Sequence, residues 1–452
     1  MVHYRVAKVC RTMQRAGVDI STDTLFWFRR DLRFDDNTGL IKALKRGDNV
    51  QPVFIFDSHL LESLPKTDQR VTYIYSCLKK LNTILAEYNS SILVYHGTPQ
   101  QFFGNIREQF PALKSVFWNR DYTPYARQRD EEIEGLLNQQ NIVASTFKDH
   151  VILEPHEVLK ADGSPYSVFT PYANTWRKTV SITTIETNTV DELWECFSKS
   201  NFGFPKLNSI GFVEQNYACN LDYPDENILI HYESLRDFPA ENGTSKVSVL
   251  LRFGNISIRR LLLTAMQLSH TYTSELIWRE FYQMILWYYP NTVTEEFKPK
   301  YASIPWRNNE ADFDLWKNGN TGVALVDAGM RELNATGFMH NRVRMIVASF
   351  LCKNLLIDWR WGEAYFAEKL MDFELASNVG GWQWAASCGC DAAPYFRVFN
   401  PESQAKKFDP NSEYIRQWVP EFESTDYRPM VDLKESRKAC IEIYKHTLNS
   451  VV

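Results

Sequence analysis

Much that would classify a chain quickly is missing from this one. No run of about 18 apolar residues occurs in its 452 residues, so no segment reads as a membrane-spanning helix. The opening stretch MVHYRVAKVCRTMQRAGVDIS is basic but lacks an apolar core ahead of a small-residue cleavage site. It reads as an extension over residues 1–22, and a cytoplasmic location with no membrane partner is expected. The eight cysteines (Cys10, Cys77, Cys196, Cys219, Cys352, Cys388, Cys390 and Cys440) form no C-x-x-C pair and no Cys/His grouping at zinc spacing. Neither a disulfide framework nor a metal site is indicated. No G-x-G-x-x-G follows the first strand signal, so the usual dinucleotide fingerprint is absent. Internal repeats and low-complexity tracts are absent too.

What is present is ordinary in bulk: 44% hydrophobic and 23% charged residues suit a soluble globular protein, and the length suggests about two to four domains. The net charge of −5 excludes a chain coated in basic surface. Yet Arg252, Arg259, Arg260, Arg342, Arg344, Lys353, Arg397, Lys406 and Lys407 crowd the C-terminal half. A local basic face on an acidic body is enough to bind phosphates, although a solvated helix face explains any one of these residues equally simply.

Residues 23–150 alternate short apolar runs, TLFWF, NVQPVFIFD, SILVYHG, KSVFWN and NIVASTFKD, with helical stretches. Strands spaced by helices predict right-handed βαβ units and an α/β, doubly wound parallel sheet. Residues 151–227 weaken into Gly-, Pro-, Ser- and Asn-rich sequence, including GSPYSVFTPY, and read as a connector. Residues 228–452 show apolar residues recurring at three and four, with Gly or Pro ending most segments, which predicts an all-α second domain.

The segment LASNVGGWQWAASCGCDAAPYFRVFN carries the strongest functional signal. Gly380 and Gly381 remove side chains where a backbone must approach something closely, while Trp382 and Trp384 place two large π-faces two residues apart. A flat aromatic cofactor or a nucleobase suits that pattern; so does a glycine turn entering a buried helix. In SELIWREFY, Glu275 and Trp278 lie three apart on one helix face, with Arg279 about a quarter-turn away. An indole can stack on a base and a carboxylate can accept from base N–H groups, so the two make a sensible pocket pair. An amphipathic helix with a surface Glu and a buried Trp is the plainer account. MHNRVRM puts Asn341 and Met345 on one face flanked by Arg342 and Arg344, and Arg344 has Asp372 or Glu374 downstream as a partner. His340 is the only histidine there. In NGTSKVSVLLRFG, the hydroxyls of Thr244, Ser245 and Ser248 at the start of an apolar run suit a phosphate or plain helix capping.

Taken together these motifs closely resemble the photolyase/cryptochrome flavoprotein family, and within it the class I cyclobutane pyrimidine dimer photolyases. WFRRDLRFDDNTGL, GSPYSVFTPY, RDFPAENGTSKVSVLLRFGNIS, SELIWREFY, TGFMHNRVRM, LLIDWRWGE and NVGGWQWAASCGCDAAPYFRVFNP agree in order over about residues 24–425. The resemblance implies an α/β antenna domain, an all-α FAD-binding domain, and light-driven electron transfer from reduced FAD to a flipped-out dimer. It implies that Tyr232, Thr244, Ser245, Ser248 and Arg279 hold the FAD phosphates, with Lys246 and Val247 also binding the cofactor. Asn341, Arg344, Asp372, Phe373, Glu374 and Asn378 would line the flavin, with Asn378 beside its N5. Glu275, Trp278, Asn341, Met345 and Trp384 would receive the lesion, and Arg342 and Arg397 would contact DNA phosphates. Trp382, Trp359 and Trp306 match the chain that passes electrons to the flavin.

The sequence departs from the family at a few positions. Glu374 stands where Asp is usual, Val379 replaces a frequent Asn, and Phe338 a frequent Trp. NRDYTPYARQRD lacks, at Tyr125 and Ala126, the Asn-Glu pair of folate-binding relatives, so a deazaflavin, a second flavin or no antenna chromophore stay open. A blue-light receptor on the same fold is the alternative function, disfavoured by retention of Glu275, Trp278, Asn378 and Met345. Repair of the six-four photoproduct is disfavoured because Asn341 follows His340 where that subgroup has paired histidines. DNA containing pyrimidine dimers is the expected partner, and a monomer the expected state.

Overall fold

Five apolar runs fall into register as a parallel sheet in this computed structural model, which describes residues 22–47, 49–180, 185–217 and 223–450. The strands are β1 (Thr24–Phe28), β2 (Val50–Asp57), β3 (Leu93–Gly97), β4 (Ser115–Asn119) and β5 (Val143–Phe147), in the order β3-β2-β1-β4-β5. Helices α1 (Thr38–Arg46), α2 (Gln69–Glu87), α3 (Pro99–Gly104) and α4 (Pro124–Gln139) carry the crossovers. Every residue of β1, β2 and β4 is buried, as expected of strands covered on both faces. Pro52 is tolerated inside β2 because it pairs with Phe26 of β1 but precedes the ladder to β3, which begins at Val53. The doubly wound reading is borne out. Of the extension read at residues 1–22, all but Thr22 lies outside the described residues.

By its contacts the chain divides into two units. The first comprises Met1–Ile152, Thr183–Tyr217 and Leu250–Leu261; the second comprises Leu153–Ile182, Ala218–Val249 and Leu262–Val452. The stretch read as one connector is thus shared between the two, and it contains a helix, α5 (Phe169–Thr179), that its Gly- and Pro-rich composition hid.

Two members of the supposed basic face are internal. In the first unit Arg259 bonds Asp36 and Asp149 at 2.9 Å each, and Arg33 bonds Asp149 at 2.8 Å. Burial alone would raise the Asp149 carboxyl, but Arg33 and Arg259 hold it well below the usual range. In the second unit Lys353 is 0% exposed, its ammonium 2.8 Å from Ser387 Oγ and 3.8 Å from the Tyr444 ring centroid. A π-helical turn over Phe350–Asn354 turns it inward. Lys406 and Lys407 remain exposed.

The second unit is helical, as read. Its frame is α6 (His270–Tyr288), α7 (Ala324–Thr336), α8 (Asn341–Ser349), α9 (Trp359–Lys369), α10 (Leu375–Ala385) and α11 (Leu433–Ser450). Buried Glu280 of α6 accepts from the Trp176 indole at 2.6 Å and fastens α5 to α6. Gln383 fastens α10 through bonds to the carbonyls of Thr292 and Glu295 and the N–H of Phe297.

Candidate active site

Most of the residues expected to bind cofactor or lesion sit on α6, α8, α10 and the loop before Ser248, all within the second unit. Glu275 is paired with Arg236, a residue the sequence reading did not single out. Burial pushes the Glu275 carboxyl above its ordinary value, and the Arg236 guanidinium opposes the rise. Arg236 also lies 5.3 Å from the Tyr232 ring, which meets Tyr272 edge-on at 4.9 Å. The Tyr272 hydroxyl bonds Ser245 Oγ at 2.8 Å. Burial raises the Tyr272 phenol to about 12, so it keeps its proton at working pH. Tyr272 thus joins two expected phosphate-binding residues, Tyr232 and Ser245, and was itself missed. Beside them Lys246 adopts φ 53°, Val247 is buried, and Thr244, Ser248 and Arg279 are half-buried.

The flavin-lining set converges elsewhere on α8 and α10. Arg344 donates to Asp372 Oδ2 at 2.9 Å and to the Met339 carbonyl at 2.7 Å, so of its two sequence candidates Asp372 is the partner seen. Glu374 serves a structural purpose: it caps α10, accepting from the Ser377 N–H at 3.1 Å. Phe373 packs against the helical core. Phe338 lies under both Lys246, at 6.0 Å, and Arg344, at 5.7 Å, and so links the loop expected to hold phosphates to the residues expected to line the flavin. The Asn378 amide donates to the Glu363 carbonyl and carboxylate at 3.0 and 2.9 Å.

On the lesion side, Trp278 is half-buried and stacked on Phe169, with ring centroids 3.7 Å apart and planes 6° from parallel. Asn341 is exposed, Met345 is half-buried, and Trp384 stacks on Phe399 at 6.3 Å. Arg397 is exposed, whereas Arg342 is shared with Asp237 at 2.6 Å and covers the Phe408 ring at 4.6 Å. A DNA phosphate would therefore meet an Arg342 already held by a carboxylate.

Of the three tryptophans expected to relay electrons, Trp382 is 2% exposed and Trp359 0%. A Cβ on Gly362 would lie 2.1 Å from the Trp382 ring, so glycine is required there. The Trp382 ring meets Phe366 edge-on at 5.0 Å and Trp316 edge-on at 6.1 Å, and Trp359 lies three residues before Gly362 on α9. The Trp359 indole donates to Glu296 at 3.5 Å, and Trp306 meets Tyr444 edge-on at 6.3 Å. Gly380 also fulfils its expected part: a Cβ there would strike the Tyr282 ring at 2.2 Å. Gly381, by contrast, faces open space.

A flavin dinucleotide fits this donor set. Asp372 Oδ1 and His340 Nε2 are buried polar atoms without a hydrogen-bond partner among the described residues, and both belong to the neighbourhood of Arg344. His340 Nδ1 accepts from the Arg342 N–H, which leaves Nε2 carrying a proton to donate. Burial pushes its pKa down to about 4, so the ring is neutral.

Comparison with known proteins agrees. The family model described as DNA photolyase matches residues 24–191, and the one described as the FAD binding domain of DNA photolyase matches residues 272–428. A deoxyribodipyrimidine photo-lyase from Synechococcus is 38% identical over 425 residues, 88% of this chain and 87% of the relative. Among solved structures, a bacterial class III photolyase from Agrobacterium tumefaciens superposes with a TM-score of 0.82 at 28% identity, covering 96% of this chain and 99% of the other. An archaeal photolyase from Sulfolobus tokodaii with two FAD molecules does so at 0.79 and 33%, covering 94% and 100%. The chain belongs to the DNA photolyase family, and its helical unit carries that family's FAD-binding domain.

Proposed function

We propose that this protein repairs cyclobutane pyrimidine dimers in DNA, using light and a reduced flavin. The observation that carries the reading is the pairing, three residues apart on α6, of a half-buried indole with a carboxylate whose pKa burial raises. Bound and reduced FAD supplies the electron that light drives to the dimer and that returns once the ring has opened. The chain's own residues bind and orient. Trp278 offers a stacking face, Glu275 accepts from base N–H groups, and Asn341, Met345 and Trp384 complete the pocket for the extruded bases. Arg344 and Asp372 hold the flavin, Asn378 steadies its reduced form, and Trp382, Trp359 and Trp306 relay electrons inward from the surface. Thr244, Ser245, Lys246, Ser248, Arg279 and Tyr232 hold the phosphates. A second chromophore, of unassigned chemistry, stays open in this reading; the S. tokodaii relative holds two FAD molecules. No described helix is long and apolar enough to cross a membrane.

The test is direct. Photoreduced protein is mixed with an oligonucleotide bearing one thymine dimer, illuminated with blue light, and dimer loss is measured. No loss, with flavin bound, would favour a light receptor over a repair enzyme. An oligonucleotide bearing a six-four photoproduct serves as the control and should stay unrepaired.

A further inference from the structure

The Trp278–Phe169 stack is not one that two rings choose. Their quadrupoles favour an offset or edge-on meeting over a face-to-face sandwich, yet the centroids lie 3.7 Å apart with planes at 6°. The surroundings impose it. Helix α5 is fastened to α6 by the Trp176 indole on Glu280, at 2.6 Å, and by Arg177 on Ser274, at 2.7 Å. Its first residue is fastened as well, because the Phe169 N–H donates to Asp391 at 3.1 Å. Tyr282 also tilts against the indole, with ring centroids 5.5 Å apart and planes at 34°, and in turn fills the space that Gly380 leaves on α10. Phe169 laid flat on the indole, with Tyr282 wedged at an angle between the indole and the α10 backbone, restrains rotation of the Trp278 ring, while the ring stays half-buried and keeps part of its surface accessible.

We infer that Phe169 is a positioning residue for the lesion: it holds the Trp278 ring in a fixed plane, so that an extruded base pair stacks on a platform already ordered. The inference rests on the repair reading above. A platform ordered in the free protein loses no side-chain entropy on binding, and its effect falls on recognition of the damaged bases and not on phosphate contacts.

The experiment measures dark binding of flavin-loaded protein to two duplexes, one with a single thymine dimer and one undamaged, alongside repair per bound complex under light. Phe169→Leu is expected to weaken binding to the damaged duplex about three- to tenfold while leaving the undamaged duplex, the flavin spectrum and repair per bound complex unchanged. Phe169→Tyr keeps the flat face and should restore wild-type binding. If Phe169→Leu loses flavin or solubility, Phe169→Met, which keeps apolar volume without a plane, is read in its place. Equal losses on both duplexes, or no loss on either, would overturn the inference. A wild-type protein that does not prefer the damaged duplex would instead sink the repair reading itself.

Discussion

Asn378 gives both of its amide hydrogens to Glu363, one to the backbone carbonyl at 3.0 Å and one to the carboxylate at 2.9 Å, across 15 residues of sequence. With its donors occupied, the side chain can present only its oxygen to a neighbour. Burial raises the Glu363 carboxyl above its usual value, and the Asn378 bond lowers it part of the way back. Replacing Glu363 by Leu removes a partly charged hydrogen bond, a contact of about 2 kcal/mol, and frees the amide to turn. Flavin should remain bound, while photoreduced flavin reoxidises in air severalfold faster. Unchanged reoxidation kinetics would show that Glu363 does not set the Asn378 orientation.

The strand runs were legible because β1, β2 and β4 are apolar on both faces and leave continuous hydrophobic strings; the order β3-β2-β1-β4-β5 was not, since no residue names its neighbour. At the site, periodicity placed Glu275 and Trp278 on one face but was silent about their partners. Arg236 is 39 positions from Glu275, and Phe169 lies in a stretch whose composition argued against a helix. Glu363 closes the motif LLIDWRWGE, but nothing in that run names Asn378 as its partner. Charge misled where burial decided: Arg259 and Lys353 read as basic surface and are internal. Gly362 shows the converse, a position whose need for glycine comes from the Trp382 ring, 20 residues onward, and not from a turn.

Lys353 makes stability depend on pH in a predictable direction. Burial lowers its pKa from 10.5 to about 8, and its hydrogen-bonding partners, Ser387 Oγ and the Ala386 carbonyl, carry no charge. Below pH 8 folded and unfolded chains both hold the proton, so the cost of burying the ammonium is felt in full. Between 8 and 10.5 the folded protein has released a proton that the unfolded chain keeps, so this group's contribution rises with pH by about 1.4 kcal/mol per unit. Lys353→Met should be more stable than wild type at pH 7, with the difference closing by about pH 10. Parallel melting curves for the two proteins that stay a constant distance apart would refute the account.

Glu275 should give lesion binding an acid limit. Its carboxyl is raised by burial and restrained by Arg236, so it protonates above the ordinary glutamate value and then ceases to be a pure acceptor. Dark affinity for a thymine-dimer duplex is expected to fall as pH drops through that value, and Glu275→Gln should flatten the profile. Glu275→Ala should weaken repair tenfold or more with flavin retained. Loss of flavin in the alanine variant would mean that Glu275 supports the cofactor and not the lesion.

Arg342 and Arg397 separate two kinds of electrostatic contact. Arg397 is exposed, with its backbone N–H bonded to the Pro394 carbonyl at 2.8 Å. Arg342 is already paired with Asp237. A guanidinium that neutralises one phosphate releases its condensed counterion, which adds about 0.9 to the slope of log affinity against log salt concentration. Arg397→Ala should therefore reduce the slope by about that amount, equally for damaged and undamaged duplexes, because phosphates carry no information about the lesion. Arg342→Ala should change the slope by less, since the charge it removes is partly cancelled by Asp237, and Asp237→Asn should steepen it by releasing Arg342 toward the DNA. Slopes that fall alike for the two arginine variants, with no change in Asp237→Asn, would show that the Asp237 pair breaks on binding and that Arg342 contacts the backbone in full.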